Sequence, residues 1–69
     1  MKLSARNIIS GKVVEITKGA TTSHVRIEIN PSVVITAAIT NEAVEELGIA
    51  TGKQAMAIIK ASDVLVGIP

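Results

Sequence analysis

The spacing of apolar and polar positions changes period twice along the chain. From Leu3 to Thr17 the apolar residues are mainly β-branched, and Val13, Glu15 and Thr17 alternate with Val14 and Ile16. This predicts a first strand over residues 3–17, with a bulge or bend at Gly11. The stretch KGATTS, residues 18–23, predicts a turn in which Gly19 takes a positive φ. In HVRIEI, residues 24–29, Val25, Ile27 and Ile29 share one face while His24, Arg26 and Glu28 share the other, the pattern of a second strand. Asn30-Pro31-Ser32 predicts a turn fixed by the proline. VVITAAI, residues 33–39, is a third strand, apolar on both faces and therefore expected to be covered by a packed or associated sheet.

At TNEAVEELG the period becomes helical. Thr40 is the expected N-cap, Asn41 and Glu42 occupy the first turn, Val44 and Leu47 lie three apart on one face, and Gly48 ends the helix. ATGK, residues 50–53, turns the chain again. QAMAIIKA, residues 54–61, and VLVGI, residues 64–68, predict the fourth and fifth strands. Three strands, a helix and two strands predict an all-β fold: a five-stranded, partly open OB-like barrel with one short helix between strands 3 and 4. Residues 1–69 read as a single domain without linker or internal repeat.

Composition adds an expectation about assembly. A chain of 69 residues buries only roughly 60% of its unfolded surface, and such domains draw on disulfides, a metal or oligomerisation. There is no cysteine, and His24 is the lone histidine, which leaves oligomerisation; 48% hydrophobic residues provide the surface for it. The net charge of +1 selects neither a polyanion nor a membrane surface. No apolar run approaches the length of about 20 residues that spans a bilayer, and no basic-then-apolar leader pattern opens the sequence, so a cytoplasmic protein without a membrane partner is expected.

Three places set polar donors beside apolar strands: Ser4-Ala5-Arg6-Asn7, the helix start from Thr40 to Ala43, and Lys60-Ala61-Ser62. Together they offer a guanidinium, an ammonium, hydroxyls and backbone N–H groups, the donor set of a small oxyanion site. Taken singly, Arg6 reads as a solvated or salt-bridging side chain, Lys60 as a guard on an exposed strand edge, Thr40 as a helix cap and Ser62-Asp63 as a turn. Their weight comes from convergence. His24 reads as a structural or solvated residue, and Glu42, Glu45 and Glu46 as a solvated helix face without the spacing of metal ligands. No nucleophile–histidine–acid motif and no Gly-rich phosphate loop occurs, so no enzyme is expected. An OB-fold that binds single-stranded nucleic acid stacks bases on aromatic side chains, and this chain has no Phe, Trp or Tyr.

With these segments in hand, the chain resembles the molbindins, the Mop-type molybdate-binding proteins. The resemblance rests on SARN near the start, GKVVEITKG at 11–19, AAIT followed by AVEELGI within 37–49, GK at 52–53 and AIIKASDVLVG at 57–67. It spans the chain, and it is the combination at these separations that is specific. The domain is similar to that appended to molybdate-responsive regulators and to the ATPase subunit of molybdate transporters, but this sequence holds neither a helix-turn-helix nor a P-loop.

The resemblance implies a homohexamer, a trimer of dimers, with oxyanion sites between subunits. Ser4, Ala5 and Arg6 would come from one subunit; Thr40, the backbone around Ala43, and Lys60, Ala61 and Ser62 from a neighbour. The family commonly has serine where this chain has Ala43, so a hydroxyl is lost and the site must lean on the backbone N–H or bind less tightly. A second class of site lies on symmetry axes in the family, and Lys18, Gly19 and Ala20 are the candidates here. The implied ligand is molybdate or tungstate, bound for intracellular storage or homeostasis. A regulatory module that reports anion status to a protein partner is the alternative.

Overall fold

A computed structural model describes residues 2–69. Four strands form one antiparallel sheet in the order β3-β2-β1-β4. They are β1 (Asn7–Lys18), β2 (Thr22–Asn30), β3 (Val33–Thr40) and β4 (Gln54–Ile59), and the helix α1 (Asn41–Leu47) lies between β3 and β4. A single 3-10 turn over Ala61–Asp63 follows β4.

β1 is the long central strand that serves both halves of the sheet. Its first half pairs with β4 from Asn7↔Ile59 to Lys12↔Gln54, and its second half pairs with β2 out to Lys18↔Ser23. The halves join at a register shift between Val13 and Glu15. This shift bends the strand and increases its twist, which lets one strand pair in two directions. Val13 at the bend is fully buried. Its N–H donates to the Lys53 carbonyl at 2.9 Å, and its carbonyl accepts from Gly52 N–H at 2.8 Å, so the 50–53 turn is docked onto the bend. Gly52 holds φ at 92°, the left-handed region that only glycine enters without strain.

The bend expected at Gly11 is therefore found two to four residues later, between Val13 and Glu15. Gly11 sits inside the regular β1–β4 ladder opposite Ala55. What it provides is clearance: a Cβ there would lie 2.6 Å from the Glu28 carbonyl oxygen and 2.7 Å from Ile27 Cγ2. Gly19 likewise does not take the positive φ expected of it. Its N–H closes the β1–β2 turn on the Thr22 carbonyl at 2.8 Å.

The core is small: Val13, Val25, Ile27 and Ala57 are buried, with Ile16, Ile29, Ile35, Ile39, Val44 and Ile49 packed around them. Val25 and Ile27 face inward as the alternation of β2 predicts. β3 is only half-covered, and Val33 is exposed. In α1 the Thr40 hydroxyl oxygen accepts from Ala43 N–H, Gly48 ends the helix at φ 64°, and its N–H returns to the Glu45 carbonyl. Val44 packs on the core while Leu47 is 71% exposed, so Ile49 takes the place expected of Leu47.

Several boundaries and one element differ from expectation: β2 already begins at Thr22, inside the turn expected over 18–23, and it runs on to Asn30. β1 begins at Asn7, so residues 3–6 precede the strand; β4 ends at Ile59. The fifth strand expected over 64–68 is not formed. Leu65 and Val66 are 92% and 91% exposed. A strand needs a partner for its row of N–H and C=O groups, and this segment has none within the chain's sheet. Its apolar composition announces a strand, but the sheet of the chain supplies no neighbour for it.

Candidate functional site

The strand register sorts the candidate residues into two groups at opposite ends of β1. Asn7 pairs with Ile59, and its Nδ2 donates to the Ile59 carbonyl at 3.2 Å. Arg6 immediately precedes that rung and Lys60 immediately follows it on the antiparallel strand. Ser4-Ala5-Arg6 and Lys60-Ala61-Ser62 are thus brought to one end of the β1–β4 ladder. The family pattern had grouped Lys60 with Thr40; within one chain its neighbour is Arg6. Ser4, Arg6, Lys60, Ala61 and Ser62 are exposed and Ala5 is half-buried. The 3-10 turn after Lys60 is closed by Asp63 N–H on the Lys60 carbonyl at 2.9 Å. Among the described residues the ion pair within 4.0 Å is Arg26–Glu15, at 3.8 Å between exposed cross-strand partners. Neither Arg6 nor Lys60 spends its charge in such a pair.

Thr40 and Ala43 stand at the other end. Thr40 pairs with Thr22 on the last rung of the β2–β3 ladder, beside the rung that joins Lys18 to Ser23. Thr40 is exposed and Ala43 half-buried. Ala43 N–H donates to Thr40 Oγ1 at 3.1 Å, so this backbone donor is already engaged and the Thr40 hydroxyl proton is left to point away from the helix. Asn41 N–H is engaged as well, on the Thr21 carbonyl at 2.9 Å.

Lys18, Gly19 and Ala20 line an open concavity of about 330 Å³ together with Thr17, Thr21, Thr22 and His24. The three threonines were not singled out by sequence reasoning and His24 was read as structural or solvated; the β1–β2 turn gathers them. A larger open cleft of about 570 Å³ lies where Lys12 and Gln54 face Glu28, Asn30 and Pro31. Among the described residues no group of three or more histidine, cysteine or carboxylate side chains is placed to hold a metal ion.

Two further residues escaped sequence reasoning. Ser23, a polar residue on the inward face of β2, is 2% exposed. Its hydroxyl donates to Asn41 Oδ1, and Asn41 Nδ2 donates to the carbonyls of Gly19 and Ala20 at 3.1 and 3.4 Å. The signal was present in the sequence as a serine in the Val25–Ile27 register, since a buried hydroxyl requires a partner.

The arrangement has the chemistry of anion capture by donors. One end of β1 offers two cations, without an ion-pair partner among the described residues, and a serine near each; the other end adjoins the Thr40 hydroxyl. The apolar groove lined by Leu47, Ile49, Met56 and Ile58, about 330 Å³, and the exposed Ile8–Ile58 cross-strand pair extend over the outer side of β4. No helix among the described residues is long and apolar enough to cross a membrane.

Comparison with known proteins places these features in a family. The family model described as "TOBE domain" matches residues 3–66. A Haemophilus influenzae protein named "Probable molybdenum-pterin-binding protein" is 46% identical over 68 residues, covering 99% of both chains. The solved structure of MopII from Clostridium pasteurianum superposes with a TM-score of 0.89 at 40% identity, over 97% of this chain and 100% of that one. A structure of the cytoplasmic molybdate-binding protein ModG with molybdate bound superposes with a TM-score of 0.93 at 45% identity. It is matched over 100% of this chain and 49% of that one.

Proposed function

The chain belongs to the TOBE-domain family, within its molbindin branch, and on that premise we propose that it is a non-enzymatic binder of molybdate or tungstate. The ion is held between copies of the chain in a homohexamer, for storage or homeostasis in the cytoplasm. The observation that carries this reading is the register. Arg6 and Lys60 flank one rung at the start of β1, whereas Thr40 adjoins its opposite end. An ion that touches all three therefore joins two copies.

The electrostatics suit a tetrahedral dianion. Arg6 and Lys60 match its two charges, and charge-assisted hydrogen bonds are roughly twice as strong as neutral ones. Hydroxyls of Ser4, Thr40 and Ser62 and backbone N–H groups near Ala5 and Ala61 serve the remaining lone pairs. Ala43 acts through Thr40: its N–H polarises the hydroxyl that it donates to. Lys18, Gly19 and Ala20 form the weaker second site, in the concavity they share with His24. All the charged candidates are exposed in the single chain, so desolvation of the ion and its discrimination from the smaller sulfate depend on the neighbouring copy. The exposed tail at 64–68 and the apolar outer side of β4 supply surface for that association.

A second reading is favoured by the name of the Haemophilus influenzae relative: a molybdenum-bound pterin rather than the bare anion. The absence of any aromatic residue leaves nothing for a pterin ring to stack on. Titration calorimetry with molybdate, tungstate, sulfate and molybdopterin separates the two. Molybdate and tungstate are expected to bind at micromolar concentration or tighter, with sulfate weaker; binding of molybdopterin alone would replace this reading with the second.

A further inference from the structure

Asn41 makes more hydrogen bonds than a first-turn helix residue requires. Its Oδ1 accepts from the buried Ser23 hydroxyl. Its Nδ2 donates to two successive carbonyls of the β1–β2 turn, Gly19 at 3.1 Å and Ala20 at 3.4 Å. Its backbone N–H donates to a third, Thr21, at 2.9 Å. One residue thus ties β2, the β1–β2 turn and the β3–α1 junction together. Satisfying the helix start would need far less, since a helix's first N–H groups are ordinarily left to water or a cap.

The residue before Asn41 is Thr40, whose Oγ1 is held on Ala43 N–H. The backbone that carries Thr40 is consequently anchored on one side by its rung with Thr22 and on the other by the four bonds of Asn41. We propose that Asn41 is a positioning residue for the anion site: its carboxamide fixes the β3–α1 junction against the Gly19–Thr21 turn and so sets the direction in which the Thr40 hydroxyl donates. This rests on the function proposed above. It adds that the turn following Lys18 and the threonine that meets the ion move as one piece, with Ser23 orienting the amide that joins them.

The test is a double-substitution cycle read by molybdate calorimetry on the full chain in its native assembly. Asn41→Ala is expected to lower affinity about tenfold, the scale seen when groups that hold a ligand side chain in place are removed. In a Thr40→Ala background the same change is expected to leave affinity within about twofold, because the side chain it positions is gone. A purely structural role would shift the melting temperature in both backgrounds alike and would not produce that difference. If Asn41→Ala does not fold, Ser23→Ala, which removes a single hydroxyl, carries the same cycle with a smaller first loss. Equal losses in both backgrounds, or no loss in the first, overturn the inference while leaving the proposed function intact. Failure of the unsubstituted protein to bind molybdate overturns both.

Discussion

Asn7 locks the end of the β1–β4 ladder onto Ile59, its Nδ2 donating to the Ile59 carbonyl at 3.2 Å, and that single rung sets Arg6 beside Lys60 on adjoining strand ends. Two cationic residues thus stand on adjoining strand ends, and among the described residues neither has a carboxylate partner within salt-bridge distance. In a protein that has no bound counterion such an arrangement is repulsive; with a dianion between the side chains it becomes the favourable state.

Arg6→Ala and Lys60→Ala should each weaken molybdate binding by about 2–4 kcal/mol, the cost of removing one partner from a desolvated charged contact. Because both side chains are exposed in the single chain, the ligand-free protein should melt within a few degrees of the unsubstituted one. Calorimetry and thermal denaturation check the two halves of this prediction.

Thr40 combines a structural and a ligand role, and substitution can divide them. Thr40→Ala should cost about 1 kcal/mol of stability through loss of the cap, together with affinity for molybdate. Thr40→Asp keeps a capping oxygen for Ala43 N–H and adds a favourable charge at the helix start. It also sets a carboxylate against the anion. Stability retained and binding lost is the expected pair of outcomes, measured by melting curves and titration on the same sample.

Gly11→Ala tests the fold alone. A methyl group 2.6 Å from the Glu28 carbonyl oxygen and 2.7 Å from Ile27 must displace backbone. Overpacking of this kind costs about 1–3 kcal/mol, and for a chain of this size each kcal/mol lowers the melting temperature by roughly 4–8 °C.

Ligand and assembly should stabilise each other. If the ion bridges copies, molybdate at a hundredfold excess over its dissociation constant should raise stability by about 2.7 kcal/mol. Sedimentation should show the hexamer persisting to lower protein concentration with molybdate than without. A monomer at all concentrations, with or without the ion, would contradict the assembly.

Much of this was legible in the residues themselves. The alternation in Val25–Ile27, the cap at Thr40 and the glycine stop at Gly48 are local signals, and each appears where its chemistry demands. The elements that escaped depend on something outside their own stretch. Gly11 reads as a bend from its type, yet its reason is the approach of β2, which no window around it contains. The apolar 64–68 segment reads as a strand, but strands are made by neighbours, and the sheet of its own chain offers none. The pairing of Arg6 with Lys60 arises from a ladder between segments more than fifty residues apart (Asn7 and Ile59 are separated by 52). Asn41 and Ser23 are similarly invisible as a pair, although a serine in an inward-facing register is a sign that a partner exists.

The central claim is that cations and hydroxyls from adjoining copies close on one tetrahedral ion. Anomalous diffraction from a tungstate-soaked crystal tests it most directly. The account predicts density for the heavy ion between copies, in contact with Arg6, Lys60 and Thr40, at least one of them contributed by a different copy from the others. Density enclosed within a single chain, or none at any junction between copies while the protein is folded and saturated in solution, would contradict it.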